Sequence, residues 1–425
     1  MTKILSNKSN IDLDYPICRP SLDLDFTQEV LDPRITFSRG SIGTRVNRNR
    51  LIETVSTNLP RFDYDPVTGE CKGLLNEESR SNSLLRSEDF TTTWGASAVS
   101  VSSNVITAPD GNTTADKLVE NTSFSSFKFV SQSVGTIVGT YTVSAFFKAG
   151  ERFSGYIQLL SSGGNATAGF NLRTGTIIGG SGTITPYGNG WYRVSSTATF
   201  TSATATVYIV LYNINGITNY TGDGTSGIYV WGAQVEEGAF PTSYIPTTTS
   251  TVTRSADLVE MTGTNFSSWY NQSEGTLYAD LNNITTRTSL TFDRLVSLVG
   301  TDVNRNVISI CTQTAAGGGA QNKFLAGVSY SPDGSYVLDT FTGAVSGGGG
   351  PDRIGKAIIV YKKDNFAFTV NGITPLRDII GDIPTCNRLL IFGAARYQPA
   401  PSGHIKRLTY YPRALKPNQL QYLTQ

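Results

Sequence analysis

Apolar and polar residues alternate over short runs, and the clearest run is near the end of the chain. Residues 366–370 (Phe-Ala-Phe-Thr-Val) lead into Asn371-Gly372, a pair that favours the two-residue turn reversing a strand. Further on, Ile405, Leu408 and Tyr410 are apolar while Lys406, Arg407 and Thr409 are polar. This predicts a strand that stops at Pro412, followed by a short helix over 415–423. The same signature, rich in β-branched and aromatic residues, predicts strands at 127–130, 141–147, 156–160, 191–194, 205–212 and 228–235. A second group is predicted at 275–280, 307–310, 357–361, 366–370 and 388–392. Ser331-Pro-Asp-Gly-Ser335 reads as a turn between Tyr330 and Tyr336. Regularly spaced short strands with such turns predict an all-β protein of jelly-roll or sandwich modules.

Charge divides the chain. Of the first 90 residues 26 are charged, against 41 of the remaining 335. The apolar fragments of the early region (22–26, 35–37, 61–64 and 73–75) are short and interrupted by charge. Residues 1–81 are therefore expected to be a largely extended N-terminal arm. A β-sandwich is expected over 82–246. Residues 247–256, with Pro246 before them and a Thr/Ser run within them, are expected to be a stiff linker. A second sandwich is expected over 257–425.

Composition narrows the function. The 425 residues carry a net charge of +1, with no basic excess to neutralise phosphates, so nucleic acid is not an expected partner. No apolar run or polybasic cluster predicts membrane insertion, and the first residues do not read as a secretory signal. Cys18, Cys71, Cys311 and Cys386 are too scattered for a metal site and are expected to remain thiols. The glycine clusters at 317–319 and 347–350 lack the strand-turn-helix setting of a phosphate loop.

Leu31-Asp-Pro-Arg-Ile-Thr-Phe-Ser-Arg-Gly-Ser41, Pro60-Arg-Phe-Asp-Tyr-Asp65 and Gly73-Leu-Leu-Asn-Glu-Glu-Ser-Arg80 resemble a leader found in tailed-bacteriophage virion proteins. In that group it precedes carbohydrate-binding-module-like domains of tail fibres and head spikes. Asn82–Phe90 with Trp94, then 190–194 and 231–246, resemble the opening and later strands of such a module. The last module resembles laminin-G and concanavalin-A-like domains. The resemblance implies a virion surface protein, made in the host cytoplasm. It would attach to other virion proteins through residues 1–81, form a homotrimer and adsorb to host surface polysaccharide. It also permits a structural Ca²⁺, with Glu88, Asp89, Asp223 and Glu236 as candidate ligands.

Sugar recognition needs flat aromatic faces and a few hydrogen-bonding groups. Trp94, Tyr212, Tyr220, Asp223, Trp269, Tyr270, Tyr330 and Tyr336 are the candidates. Tyr220-Thr-Gly-Asp-Gly-Thr225 stands out as a glycine-rich turn carrying both a ring and a carboxylate. The single histidine, His404, is expected to be structural, and no nucleophile–histidine signature surrounds it. No catalytic residue is assigned and no cofactor is required, so an adhesin and not an enzyme is expected. Two other readings stand beside it: a capsid decoration or fibre adaptor that touches no sugar, and a depolymerase built on two carboxylates.

Overall fold

The computed structural model describes residues 18–125, 127–213, 215–285, 292–301, 306–313, 323–330, 337–341, 355–393 and 401–425. Strands dominate, as the alternation predicts, and they build two β-sandwiches. The predicted turn at Asn371-Gly372 has positive φ at both residues, +47° and +73°, as the two-residue hairpin turn requires. The predicted terminal helix spans Pro417–Leu423.

The first sandwich rests on two 21-residue strands, Phe129–Ala149 and Trp191–Leu211, paired antiparallel along their length. Their register slips between Ser133 and Gly135 and again between Ile137 and Gly139. Gly135 and Gly139 take φ of +78° and +103°, which a side chain would resist, so the ribbon bends there. On one side of the bend the pair is flanked by Ser154–Ser161, Gly164–Asn171 and Thr176–Gly180, with Gly95–Ser97 on the other edge. On the other side it is flanked by Thr183–Pro186, Gly227–Glu237, Ala115–Glu120 and Val99–Ile106. One ten-stranded sheet thus turns a corner and supplies both layers. Val130, Ile157 and Ile209 from one side and Val143, Phe147, Val194 and Val230 from the other share a single core.

The second sandwich takes strands from both ends of the chain, where an extended arm was expected for residues 1–81. Leu22–Asp25 pairs with Ser402–Tyr411, Cys71–Asn76 pairs with that same strand, and Arg61–Tyr64 pairs with Cys71–Asn76. Thr36–Ser38 joins the facing sheet beside Leu258–Thr262. The cause lies in the alternation. Leu22, Leu24, Phe26, Phe62 and Leu74 enter the core with Val259, Leu277, Ile359 and Leu408, while Asp23 faces outward to Arg407 and Thr409. The first sandwich is therefore an insertion within the second.

The two crossings of that insertion are tied together. Arg80–Asn82 pairs antiparallel with Val252–Arg254, so part of the expected linker is a strand. Beneath this neck the early charges meet one another. Asp257 accepts from Arg39 at 3.0 Å and from Arg61 at 2.5 Å, and Arg61 also reaches Glu77 at 2.7 Å. Arg254 lies 3.5 Å from Glu77, and all five side chains are buried. Burial opposes the Glu77 charge, but Arg254, Arg61 and hydrogen bonds from Ser243 outweigh it and hold the carboxyl well below its usual range. The high charge density of the leader is thus an internal ion network, not a solvated arm.

Candidate functional site

The outer layer of the first sandwich carries aromatic rings in two places, on either side of the bend. Phe146 lies opposite Trp231 and Arg193 in neighbouring strands, so these three share a face that points away from the Phe147 core. That face is covered. Phe146, Trp191, Trp231 and Tyr244 form a buried cluster with Ile52 of the hairpin Gly43–Val46/Ile52–Val55. Trp231 and Tyr244 are 4.6 Å apart, and the Trp231 indole N–H donates to Thr114 at 3.1 Å.

The other face is open. Tyr156 and Phe129 both lie opposite Val210, and Gln158 lies opposite Tyr208, so these residues and Tyr212 share one side of three adjacent strands. Their neighbours Ile157, Ile209 and Val130 point into the core. Phe129 and Tyr208 meet edge to face at 5.3 Å, and Tyr156 and Tyr212 pack in a tilted pair at 5.7 Å. All four rings are half-buried. Gln158 sits beside them and donates through its amide to Asn165 and Thr167, each at 3.0 Å. Burial, with Tyr212 and Tyr208 close by, pushes the Tyr156 hydroxyl up to about 12, so it stays a neutral donor at physiological pH. Half-exposed rings beside side-chain amides and hydroxyls can stack on the apolar side of a pyranose and bond its hydroxyls.

Of the residues singled out in the sequence, only Tyr212 stands on this face. Trp94 is a core residue, 4.8 Å from Phe90. Tyr220 is buried, its hydroxyl donating to Glu120 at 2.7 Å and the Lys128 ammonium lying 4.9 Å from its ring centre. Asp223 folds its own turn, accepting from the backbone N–H of Thr225 at 2.8 Å and Ser226 at 2.7 Å. The glycine-rich turn is therefore stapled shut, with Glu120 held by Arg152 beside it. Trp269 is 3% exposed, packed on Phe266 and Tyr410 at 4.9 Å each. Tyr270 is half-buried at the rim of a separate groove. The side chain of Tyr330 and the whole of Tyr336 lie outside the described residues.

The four calcium candidates do not converge. Glu88 accepts from the Tyr244 hydroxyl at 3.0 Å, and burial raises its pKa. Asp89 accepts from Thr91 N–H at 2.9 Å. Glu236 is buried beneath Thr242, which donates twice at 2.9 and 2.7 Å. No group of three or more His, Cys, Asp or Glu residues suited to a metal occurs among the described residues. His404 is 6% exposed and its Nε2 lies 2.8 Å from Asp63, whose other oxygen accepts from Val46 N–H at 2.7 Å. That pair ties the hairpin to the second sandwich. All four cysteines are free thiols.

Phe129, Tyr156, Tyr208 and Gln158 were not among the predicted site residues. Their signal was present: Tyr156 and Gln158 alternate with Ile157 and Leu159, and Tyr208 and Tyr212 alternate with Ile209 and Leu211. What the alternation lacks is any sign of which outer face its neighbours cover.

No family model matches the chain, and no curated protein matches it. Among solved structures it is similar to the NanB sialidase of Streptococcus pneumoniae, at 12% identity and a TM-score of 0.31, over 39% of this chain. It spans about a quarter, 26%, of that enzyme. It is similar to the CBM40 module of the Ruminococcus gnavus IT-sialidase at 16% identity and a TM-score of 0.29, covering 38% of this chain and 88% of the module. It is also similar to domains LG4-5 of the mouse laminin alpha1 chain at 11% identity and a TM-score of 0.23, covering 67% of this chain and 85% of that one. The fold described above stands on this chain's own strand pairing.

Proposed function

We propose that this protein is a non-enzymatic carbohydrate-binding protein whose ligand face is the open tyrosine face of the first sandwich. The observation that carries the reading is Phe129, Tyr156, Tyr208 and Tyr212 standing half-exposed on one side of three adjacent strands, with Gln158 beside them. Rings at such positions pack on one another and still present part of their faces as ready-made stacking surfaces. The sheet holds them in place, so little conformational freedom is lost on binding.

The leader motifs add the setting: a virion surface protein of tailed-phage type that adsorbs to host glycans, without a required cofactor. Attachment to the virion would use residues 1–81, of which the strands Leu22–Asp25, Arg61–Tyr64 and Cys71–Asn76 lie in the second sandwich. A glycan array with the purified chain tests the binding, and Tyr156→Ala with Tyr212→Ala tests the face. Binding to host polysaccharide that is lost in the double variant, with cooperative thermal unfolding retained, is the expected result. No binding to any glycan, with density lying flat on capsomers in a virion reconstruction, would replace this reading with that of a decoration protein.

A further inference from the structure

A second recessed surface lies on the other sandwich, at the end of one sheet. There Leu258–Thr262 ends, Arg388–Ile391 begins and Phe292–Val299 ends, with Thr262 and Val299 both opposite Arg388. The short helix Gly263–Ser267 and the approach to Arg388 wall a groove of about 870 Å³. That is within the size range of small-ligand sites. The wall is braced: Gln272 donates to Pro384 O at 2.8 Å and accepts from Cys386 N–H at 3.1 Å. Two rings line the groove, Phe266 and, at the rim, Tyr270, 4.6 Å apart.

The lining has one charge. Arg388 is the sole charged side chain on it among the described residues; the remainder are hydroxyls, amides, a thiol and the two rings. The buried Nε of Arg388 has no hydrogen-bond partner among the described residues. A guanidinium that faces no carboxylate among the described lining residues favours a carboxylate ligand, which accepts two parallel N–H bonds from its outer nitrogens. Surrounding hydroxyls and amides suit a ligand rich in hydroxyl groups. We propose that this groove binds a carboxylate-bearing sugar unit, Arg388 holding the carboxylate and Tyr270 lying against the ring. The site is on a different sandwich from the tyrosine face and does not depend on it.

The test is a ligand-observed NMR titration of the full chain with methyl β-D-glucuronide and methyl β-D-glucoside. Saturable binding of the glucuronide, about tenfold tighter than the glucoside, is expected. Arg388→Gln should abolish the preference with the thermal midpoint unchanged. Tyr156→Ala with Tyr212→Ala should retain it, which separates this site from the tyrosine face. Absence of saturable binding, or a preference that survives Arg388→Gln, overturns the proposal. Acetate competing as well as the glucuronide overturns the sugar part of it. Loss of the preference in the Tyr156/Tyr212 variant would place the glucuronide on the tyrosine face instead, and would likewise overturn it.

Discussion

The two outer faces of the first sandwich carry similar residues and different consequences. On either side of the bend, a strand pair presents aromatic rings away from the core. Beyond it, Phe146, Trp191 and Trp231 are sealed under Ile52 and Tyr244. Before it, Phe129, Tyr156, Tyr208 and Tyr212 have no such cover among the described residues. The difference lies in what the rest of the chain lays over each face. An aromatic residue on a sheet is thus structural or available according to a partner remote in sequence, and the two faces should answer mutation in opposite ways.

The largest expected effect is on the covered face. Trp231→Ala empties a site 1% exposed and should cost about 3–5 kcal/mol in denaturant unfolding. A loss under about 1 kcal/mol would mean that the cover is loose and the comparison fails.

Next comes the network beneath the neck that holds the cover in place. Glu77→Gln leaves Arg254 without its carboxylate and Arg61 with Asp257 alone, and should cost about 3 kcal/mol at pH 7. The Glu77 carboxyl titrates below its unfolded value, so its stabilisation is full above about pH 5 and is lost as pH falls through the folded value. The gap between wild type and variant should therefore narrow on going from pH 7 to pH 3. A gap that stays constant over that range would show that the charge is not what matters.

The open face should behave inversely. Tyr156→Ala or Tyr212→Ala should each weaken glycan binding by about 1–2 kcal/mol while costing about 1 kcal/mol of stability, well below the loss at Trp231. Calorimetry and unfolding on the same samples read both, and a variant that unfolds easily but binds normally would invert the assignment. The smallest effect is expected at the stapled turn. Asp223→Ala removes hydrogen bonds to Thr225 and Ser226 at an exposed loop and should cost about 0.5–1 kcal/mol, with glycan binding untouched. Loss of binding there would return that turn to the site.

Period-two alternation made the sandwiches legible: Ile157 and Leu159, Ile209 and Leu211, and Phe366 to Val370 all lie in strands where the pattern puts them. The leader strands were not legible, because Leu22–Asp25 and Arg61–Tyr64 are four residues each and half charged. Their apolar positions make sense only against partners hundreds of residues away, such as Tyr410 opposite Leu22. The site was legible in part. Tyr212 was visible as a candidate, but Trp94, Tyr220 and Trp269 carry the same local signature and are buried. Ring type and turn chemistry do not encode which surface a distant hairpin will cover.

The pairing of the leader with the last strand also sets an order of assembly on the ribosome. Asp23 meets Arg407 across 384 residues, so the second sandwich cannot close until nearly all the chain has been made. At about 5–20 residues per second, the leader strands wait on the order of tens of seconds. The inserted sandwich, complete by Val252–Arg254, is free to fold within that interval. Nascent chains halted near residue 300 should thus carry a protease-resistant first sandwich beside a leader still open to cleavage, and a chaperone that shields short unpaired strands would act during that wait.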